Sequence, residues 1–267
     1  MNIKETPALT LEDIVGISDV DTLPPGGFAI TRRIAELSGM DKEKKVLVGV
    51  SHKGHQAIFY AQNYGARVIG VDSNPYMVEK AAEKAQKIDL SEMVQFLHGD
   101  AQNLPFPNDS FDIVTNEWPV RIPADPQKVL DEMLRVLKKG QTAVFREPIW
   151  LKKLPPEEKE NIIEHYGTAP FEHEEWLEML KKAGAARIEI EFKEWSRPEL
   201  FWKVRPDRDV EHYSQIFTAT EKMFTAKRIM VSFGKEGMMR AGENEKVFYE
   251  AVLDGKIGYC IIKGIKI

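Results

Sequence analysis

The chain has 267 residues, 43% hydrophobic and 30% charged, an ordinary folded-protein mix that argues against disordered, collagen-like and membrane-spanning classes. Lys plus Arg is 37 against 42 for Asp plus Glu, a formal net charge of −5, which argues against a function dominated by phosphate-backbone binding while leaving a local basic patch open. One cysteine, Cys260, can form neither an intramolecular disulfide nor a Cys-rich zinc site, so no metal is expected and the thiol reads as a small buried side chain of a cytoplasmic protein.

No apolar stretch follows Met1-Asn2-Ile3-Lys4-Glu5, and no run approaches the ~18 apolar residues of a membrane helix. From Lys45 onward strand-like and helix-like segments alternate. Lys45 to Val50 is short and nearly all apolar, which suits a parallel strand buried on both faces. Ala66 to Val71, Val94 to His98, Phe111 to Thr115 and Thr142 to Phe145 repeat the signal. Between them, Pro75 to Ile88 carries Met77, Val78, Ala81, Ala82 and Ala85 at helical spacing, and Val129, Met133, Leu134, Val136 and Leu137 line another helix. Single helices between strands imply crossovers and a doubly wound parallel sheet.

Further on, Glu172 to Ala183 reads as a helix ending at Gly184, a C-cap signal. Arg187 to Phe192 alternates strictly, as a strand with one solvated face does. Glu199 to Asp254 reads as mostly helical; its Tyr213, Phe217, Met223, Phe224, Met230, Phe233, Met238 and Met239 suit a helix–helix core or an apolar acceptor pocket. Gly258 to Ile265 closes the chain as a last strand. The expected organisation is a single domain over 1–267. Residues 1–40 form lead-in or lid helices, 41–198 and 256–267 the Rossmann-like core, and 199–255 a helical insertion covering the acceptor.

The chemistry concentrates where the first strand runs into its loop. Val46 to Gly54 leads into a helix over Gln56 to Asn63, and Asp72 stands after the second strand, 18 residues past Gly54. A nucleotide-binding crossover needs this order: loop backbone approaches the ligand at the carboxyl ends of the strands, and an acid after strand two accepts from ribose hydroxyls. By itself Asp72 also reads as a helix N-cap, since Ser73-Asn74-Pro75 opens a helix. Other features follow in order: Gly99-Asp100-Ala101, Leu104-Pro105-Phe106, Asp109 to Asp112, Asn116-Glu117-Trp118, then Lys138-Lys139-Gly140 as a loop before the fifth strand.

Taken as an ordered set, these segments resemble the class I S-adenosylmethionine-dependent methyltransferases, in the small-molecule branch with the quinone-type and arsenite-type enzymes. The resemblance covers roughly residues 24 to 195 and the last strand. It implies a Rossmann-like seven-stranded sheet with the last strand antiparallel beside the fifth, and S-adenosyl-L-methionine as cofactor. In this reading Asp72 holds the ribose diol, with Ser73 and Asn74 along the adenosine. Asp100 accepts from the adenine amino group and the Ala101 N–H donates to the ring. Asn116 sits beside the methionine part, and Glu117 and Trp118 face the methyl group. Pro24-Pro25-Gly26-Gly27 followed by Thr31 looks like the branch's lead-in helix.

The glycine loop departs from the family pattern Asp-x-Gly-x-Gly-x-Gly. Its positions fall on Val48, Val50, His52 and Gly54, and only the last is glycine. A non-glycine residue at positive φ costs ~1–2 kcal/mol, so the loop is expected to take another path or the ligand to sit differently. His52 is either a contact for the cofactor carboxylate or an exposed loop residue. Arg146 and Glu147 end the fifth strand, an edge of the crevice, and read as site residues or as a structural ion pair. Glu117 and Glu147 are the candidate general bases; Trp118, Arg146 and Tyr213 are candidates for the substrate pocket. His165, Tyr166 and His173 are weaker candidates.

The reading is methyl transfer to a small or medium organic acceptor, with no nucleic acid and no membrane span. The oligomeric state is open, a homodimer being one option. The eroded loop keeps a second reading, a non-catalytic ligand-binding or partner subunit on the same fold. A nicotinamide-dependent oxidoreductase would need Gly-x-Gly-x-x-Gly, of which Gly49 and Gly54 supply only the outer two.

Overall fold

Apolar runs with no polar side to turn to water become the inner strands of a parallel sheet. The computed structural model describes residues 9–10, 14, 26–117, 125–194 and 218–267. In chain order these form α1 (Gly27–Ser38), β1 (Lys45–Val48), α2 (His55–Tyr64), β2 (Arg67–Asp72), α3 (Pro75–Lys87), β3 (Val94–His98) and β4 (Phe111–Asn116). Then come α4 (Pro126–Val136), β5 (Leu137–Trp150), α5 (Pro156–Tyr166), α6 (His173–Lys182), β6 (Ala185–Glu194), α7 (Ala219–Leu253) and β7 (Ile257–Lys266).

The strands lie in the order β3-β2-β1-β4-β5-β7-β6. β1 is parallel to β2 and β4, β2 to β3, and β4 to β5. The sheet is mostly parallel with its last strands antiparallel, a Rossmann-like doubly wound arrangement as the sequence implies. Chain order reverses between β1 and β4. In such sheets a crevice opens there, outside the carboxyl ends of the strands.

Two expectations need correcting. Asp72 is the last residue of β2 rather than the residue after it. β5 starts at Leu137, so Lys138-Lys139-Gly140 belongs to the strand. Its register with β4 passes from Phe111↔Leu137 to Ile113↔Thr142, a bulge that absorbs the extra residues with Gly140 at φ 75°. β5 also continues to Trp150, with Arg146 and Glu147 buried inside it.

Packing divides the chain into two units. One comprises Gly27–Ile149, Phe171–Lys193 and Tyr259–Ile267 and carries nearly all of the sheet. Its core includes Val46, Leu47 and Val48 of β1, Val114 of β4, Met133 of α4 and Cys260 of β7, each fully buried. The other comprises Met1–Gly26, Trp150–Pro170 and Glu194–Gly258. There α5 packs on α7: the Tyr166 and Phe248 rings lie 4.6 Å apart, and Arg240 donates to Glu164 at 2.7 Å. α7 kinks at Gly234, where φ is 65°. Its Met223 and Phe224 are 61% and 55% exposed, so these two are not helix–helix core. Among the described residues no helix is long and apolar enough to cross a membrane.

Candidate functional site

The loop after β1 is pinned at both flanks. Gly49 N–H donates to the Thr115 carbonyl at 3.1 Å and Ser51 N–H to the Val71 carbonyl at 2.9 Å. It packs so closely on β2 that a Cβ on Gly70 would lie 2.7 Å from the Ser51 Cβ. Gly54, with φ 80°, caps α2; a Cβ there would meet the Phe96 ring at 2.6 Å and the Ala81 Cβ at 2.7 Å. Of the three positions where the family's glycines or acid are replaced, only His52 takes positive φ, at 47°. The loop thus keeps one left-handed step with a histidine in it, where the sequence implied a different path. Asn, Asp and His are the side chains that tolerate that region best.

Asp72 explains how the step is held. Its Oδ2 accepts the His52 N–H at 2.7 Å and its Oδ1 the Asn74 N–H at 2.9 Å. The side chain is buried, at 7% exposure. Burial pushes its carboxyl up from the ordinary value, while the two backbone donors and the nearby His98 charge pull it back down. Each oxygen keeps a second lone pair.

The neighbouring candidates are more open. Ser73 and Asn74 are exposed, and Asn74 Oδ1 caps α3 by accepting the Tyr76 N–H at 3.0 Å. Asp100 is exposed in a turn, where its carboxylate accepts the Gln102 N–H at 2.8 Å. Ala101 and Val50 are half-buried.

The carboxyl end of β4 carries a different construction. Asn116 is fully buried and Glu117 is 2% exposed. Glu117 Oε2 accepts from the Thr31 hydroxyl of α1 at 3.0 Å, and Oε1 from the Tyr60 hydroxyl of α2 at 3.4 Å. Gln56 Nε2 donates to Tyr60 at 2.8 Å and to the Thr115 hydroxyl at 3.4 Å. Burial pushes the Glu117 carboxyl up to about 7, against the Thr31 hydrogen bond and the Arg146 charge, which lower it. Burial and the Glu117 charge together push the Tyr60 phenol well above its usual range.

Arg146 and Glu147 follow on β5, both 1% exposed. The Arg146 guanidinium lies over the Tyr259 ring at 5.1 Å and donates to the Glu117 carbonyl at 3.5 Å, the long limit of a hydrogen bond. Burial, then the Glu147 charge, push the Cys260 thiol far up, so this sulfur stays protonated and unreactive. Trp118 and Tyr213 lie outside the described residues.

The sheet's carboxyl rim therefore brings together the 49–54 loop, Asp72, Asn116, Glu117, Arg146 and Glu147. A groove of about 660 Å³ lined by Lys42, Lys44, Arg67 and Glu92 lies at the opposite rim, at the amino ends of β1 to β3, away from these groups. Thr31, Gln56 and Tyr60 hydrogen-bond in the Glu117 cluster and were not among the candidate site residues read from the sequence. A polar pair four residues apart on an otherwise buried helix, Gln56 and Tyr60, was the available signal.

Residues 47–145 match the family model described as a methyltransferase domain. A demethylmenaquinone methyltransferase of Clavibacter sepedonicus is 36% identical over 119 residues, 45% of this chain and 45% of that relative. Over this stretch the chain is similar to methyltransferases. It spans about half the length of the curated relatives it matches. Among solved structures, a phosphoethanolamine N-methyltransferase 2 of Haemonchus contortus in complex with S-adenosyl-L-methionine aligns with a TM-score of 0.71 at 21% identity, covering 96% of this chain and 57% of that one. The [4+2]-cyclase SpnF aligns with a TM-score of 0.67 at 19% identity, covering 97% and 98%. At such identities the likeness concerns the fold alone, and one fold hosts more than one chemistry.

Proposed function

We propose that the chain binds S-adenosyl-L-methionine at the carboxyl rim and transfers its methyl group to a small or medium organic acceptor. The observation that carries this reading is the convergence of Asp72, Glu117 and Arg146 beside the point where strand order reverses. The residues present fit such a ligand at its adenosine end. Asp72 keeps free lone pairs after binding two backbone N–H groups, and Ser51 beside it has a buried hydroxyl with no hydrogen-bond partner among the described residues.

In this proposal Asp72 and the His52–Gly54 backbone hold the ribose and methionine ends, and Asp100 and Ala101 border the adenine. When bound, the sulfonium compound supplies an already activated methyl group. The protein's main task is to hold the acceptor in line with it, and such positioning contributes ~7–11 kcal/mol. Glu117, with a carboxyl near neutrality, accepts the acceptor's proton, while Arg146 fixes the crevice wall and Glu147 is the second candidate base. An excess of 42 acidic over 37 basic residues supports a small molecule rather than a nucleic acid as acceptor. The lone buried cysteine supports a reducing, cytoplasmic setting.

One observation favours the second reading, a ligand-binding protein without turnover. Asp72 is already engaged by the loop, and the loop carries His52 where the family has glycine. Calorimetry with S-adenosylmethionine and S-adenosylhomocysteine, followed by a methylation panel of hydroquinones, phenols and amines, separates the two. Methylation of any acceptor supports the first reading. Tight binding with no methylation across the panel supports the second, and no binding at millimolar ligand removes both.

A further inference from the structure

Two hydroxyl donors converge on a single buried carboxylate just past the end of β4, and an amide donates to one of those hydroxyls. Thr31 and Glu117 are 86 residues apart in the chain, Tyr60 and Glu117 57 apart, so the cluster exists only in the folded sheet. Thr31 and Tyr60 are fully buried and Gln56 is 6% exposed. The two oxygens of Glu117 are claimed by different helices, Oε2 by Thr31 of α1 and Oε1 by Tyr60 of α2. Rotation of the carboxylate breaks both bonds. The Gln56 amide fixes the direction of the chain: it donates to the Tyr60 oxygen, which leaves the phenol hydrogen for Glu117.

Stability does not explain this arrangement. Apolar side chains of the same volume in place of a buried polar cluster are often neutral or stabilising. We propose that Thr31, Tyr60 and Gln56 are positioning residues that act through Glu117, fixing one orientation of its carboxylate for a proton delivered by the acceptor. The inference rests on the methyl-transfer reading and deepens it. A carboxylate held for that purpose serves an acceptor with a dissociable proton, such as a phenol, an enol or another hydroxyl group. A lone pair of the acceptor oxygen would form the bond to the methyl carbon as the methyl–sulfur bond breaks with its electron pair going to sulfur, so that the neutral thioether leaves, and the O–H electron pair would remain on the acceptor oxygen. The proton passes to a free lone pair of Glu117 and leaves to water with the products. Among the described residues, the charged and titratable groups facing Glu117 are Arg146 from β5 and Tyr60 from α2; Thr31 from α1 and Gln56 from α2 are its neutral neighbours.

Two readouts test this, one of them independent of turnover. Glutamate carboxyl titration is followed by ¹³C NMR on the labelled protein, with Glu117→Gln assigning the signal. The acid limb of kcat/KM against pH is followed with an acceptor from the panel. Thr31→Val removes a donor to the ionised form, so both should move up by about 0.5–1 pH unit. Thr31→Ser should return both to the starting values, and Tyr60→Phe should move both upward by less. A merely structural role would lower thermal stability and move the carboxyl titration while leaving the acid limb of kcat/KM where it was. An unmoved carboxyl titration or an unmoved acid limb in folded Thr31→Val, or no recovery in Thr31→Ser, overturns the inference. If Thr31→Val does not fold, Tyr60→Phe carries the same test with the same outcomes. A moved titration without any methylated acceptor removes the methyl-transfer reading and the inference that rests on it. Methylation with an unmoved acid limb removes the inference alone.

Discussion

Asp72 ends β2 and Glu117 directly follows β4, and both are buried, at 7% and 2% exposure, yet they are satisfied by different means. Asp72 takes backbone N–H groups, from His52 and Asn74. Glu117 takes side-chain hydroxyls, from Thr31 and Tyr60. Backbone donors are supplied by any residue but proline, so the β1–β2 corner tolerates a histidine where the family has glycine. Side-chain donors depend on identity, so the β4–β5 corner should tolerate little change. Burial raises both carboxyls, with backbone N–H groups opposing it at Asp72 and the Thr31 hydroxyl and the Arg146 charge opposing it at Glu117, which is pushed up to about 7.

The largest expected effect breaks the side-chain corner. Glu117→Gln should lower kcat by ~10²–10⁴-fold with cofactor affinity unchanged, read by steady-state kinetics and calorimetry. The same variant alters the pH dependence of folding. Between the ordinary carboxyl value and about 7 the folded protein keeps the Glu117 proton that the unfolded chain has lost. More protons are then bound in the native state, so stability falls as pH rises across that window and levels off above it. Denaturant melts at several pH values should show that fall in the wild type and a flatter profile in Glu117→Gln.

Next in size is the backbone corner's one intolerant position. Gly54→Ala combines positive φ with a Cβ 2.6 Å from the Phe96 ring, and should cost about 2–4 kcal/mol in a denaturant melt. His52→Gly should be the smallest. The N–H that Asp72 accepts remains, relief of strain offsets the added chain entropy, and stability should change by less than about 1 kcal/mol. A larger loss would mean that the histidine ring, not only its backbone, holds the loop.

The inner strands were legible in the sequence because burial on both faces leaves an unbroken apolar run, as in β1, β2 and β4. β5 was only partly legible. Residues 142–145 announce it, but Arg146 and Glu147 look like an ending, and only the fold reveals that both are buried in the strand. The Gly54-to-Asp72 spacing placed the β1–β2 corner correctly. It could not say that Asp72 binds the loop, because that bond depends on the left-handed turn at His52. The Thr31–Glu117 contact was out of reach for another reason: it joins segments 86 residues apart through no local pattern.

Asp72 carries the central claim, and calorimetric titration of S-adenosyl-L-methionine into the wild type and folded Asp72→Ala tests it most directly. The account predicts that the wild type binds and that the variant, with ribose hydroxyls left unpaired, binds roughly ten- to hundredfold more weakly. Equal affinity in the two proteins would contradict it.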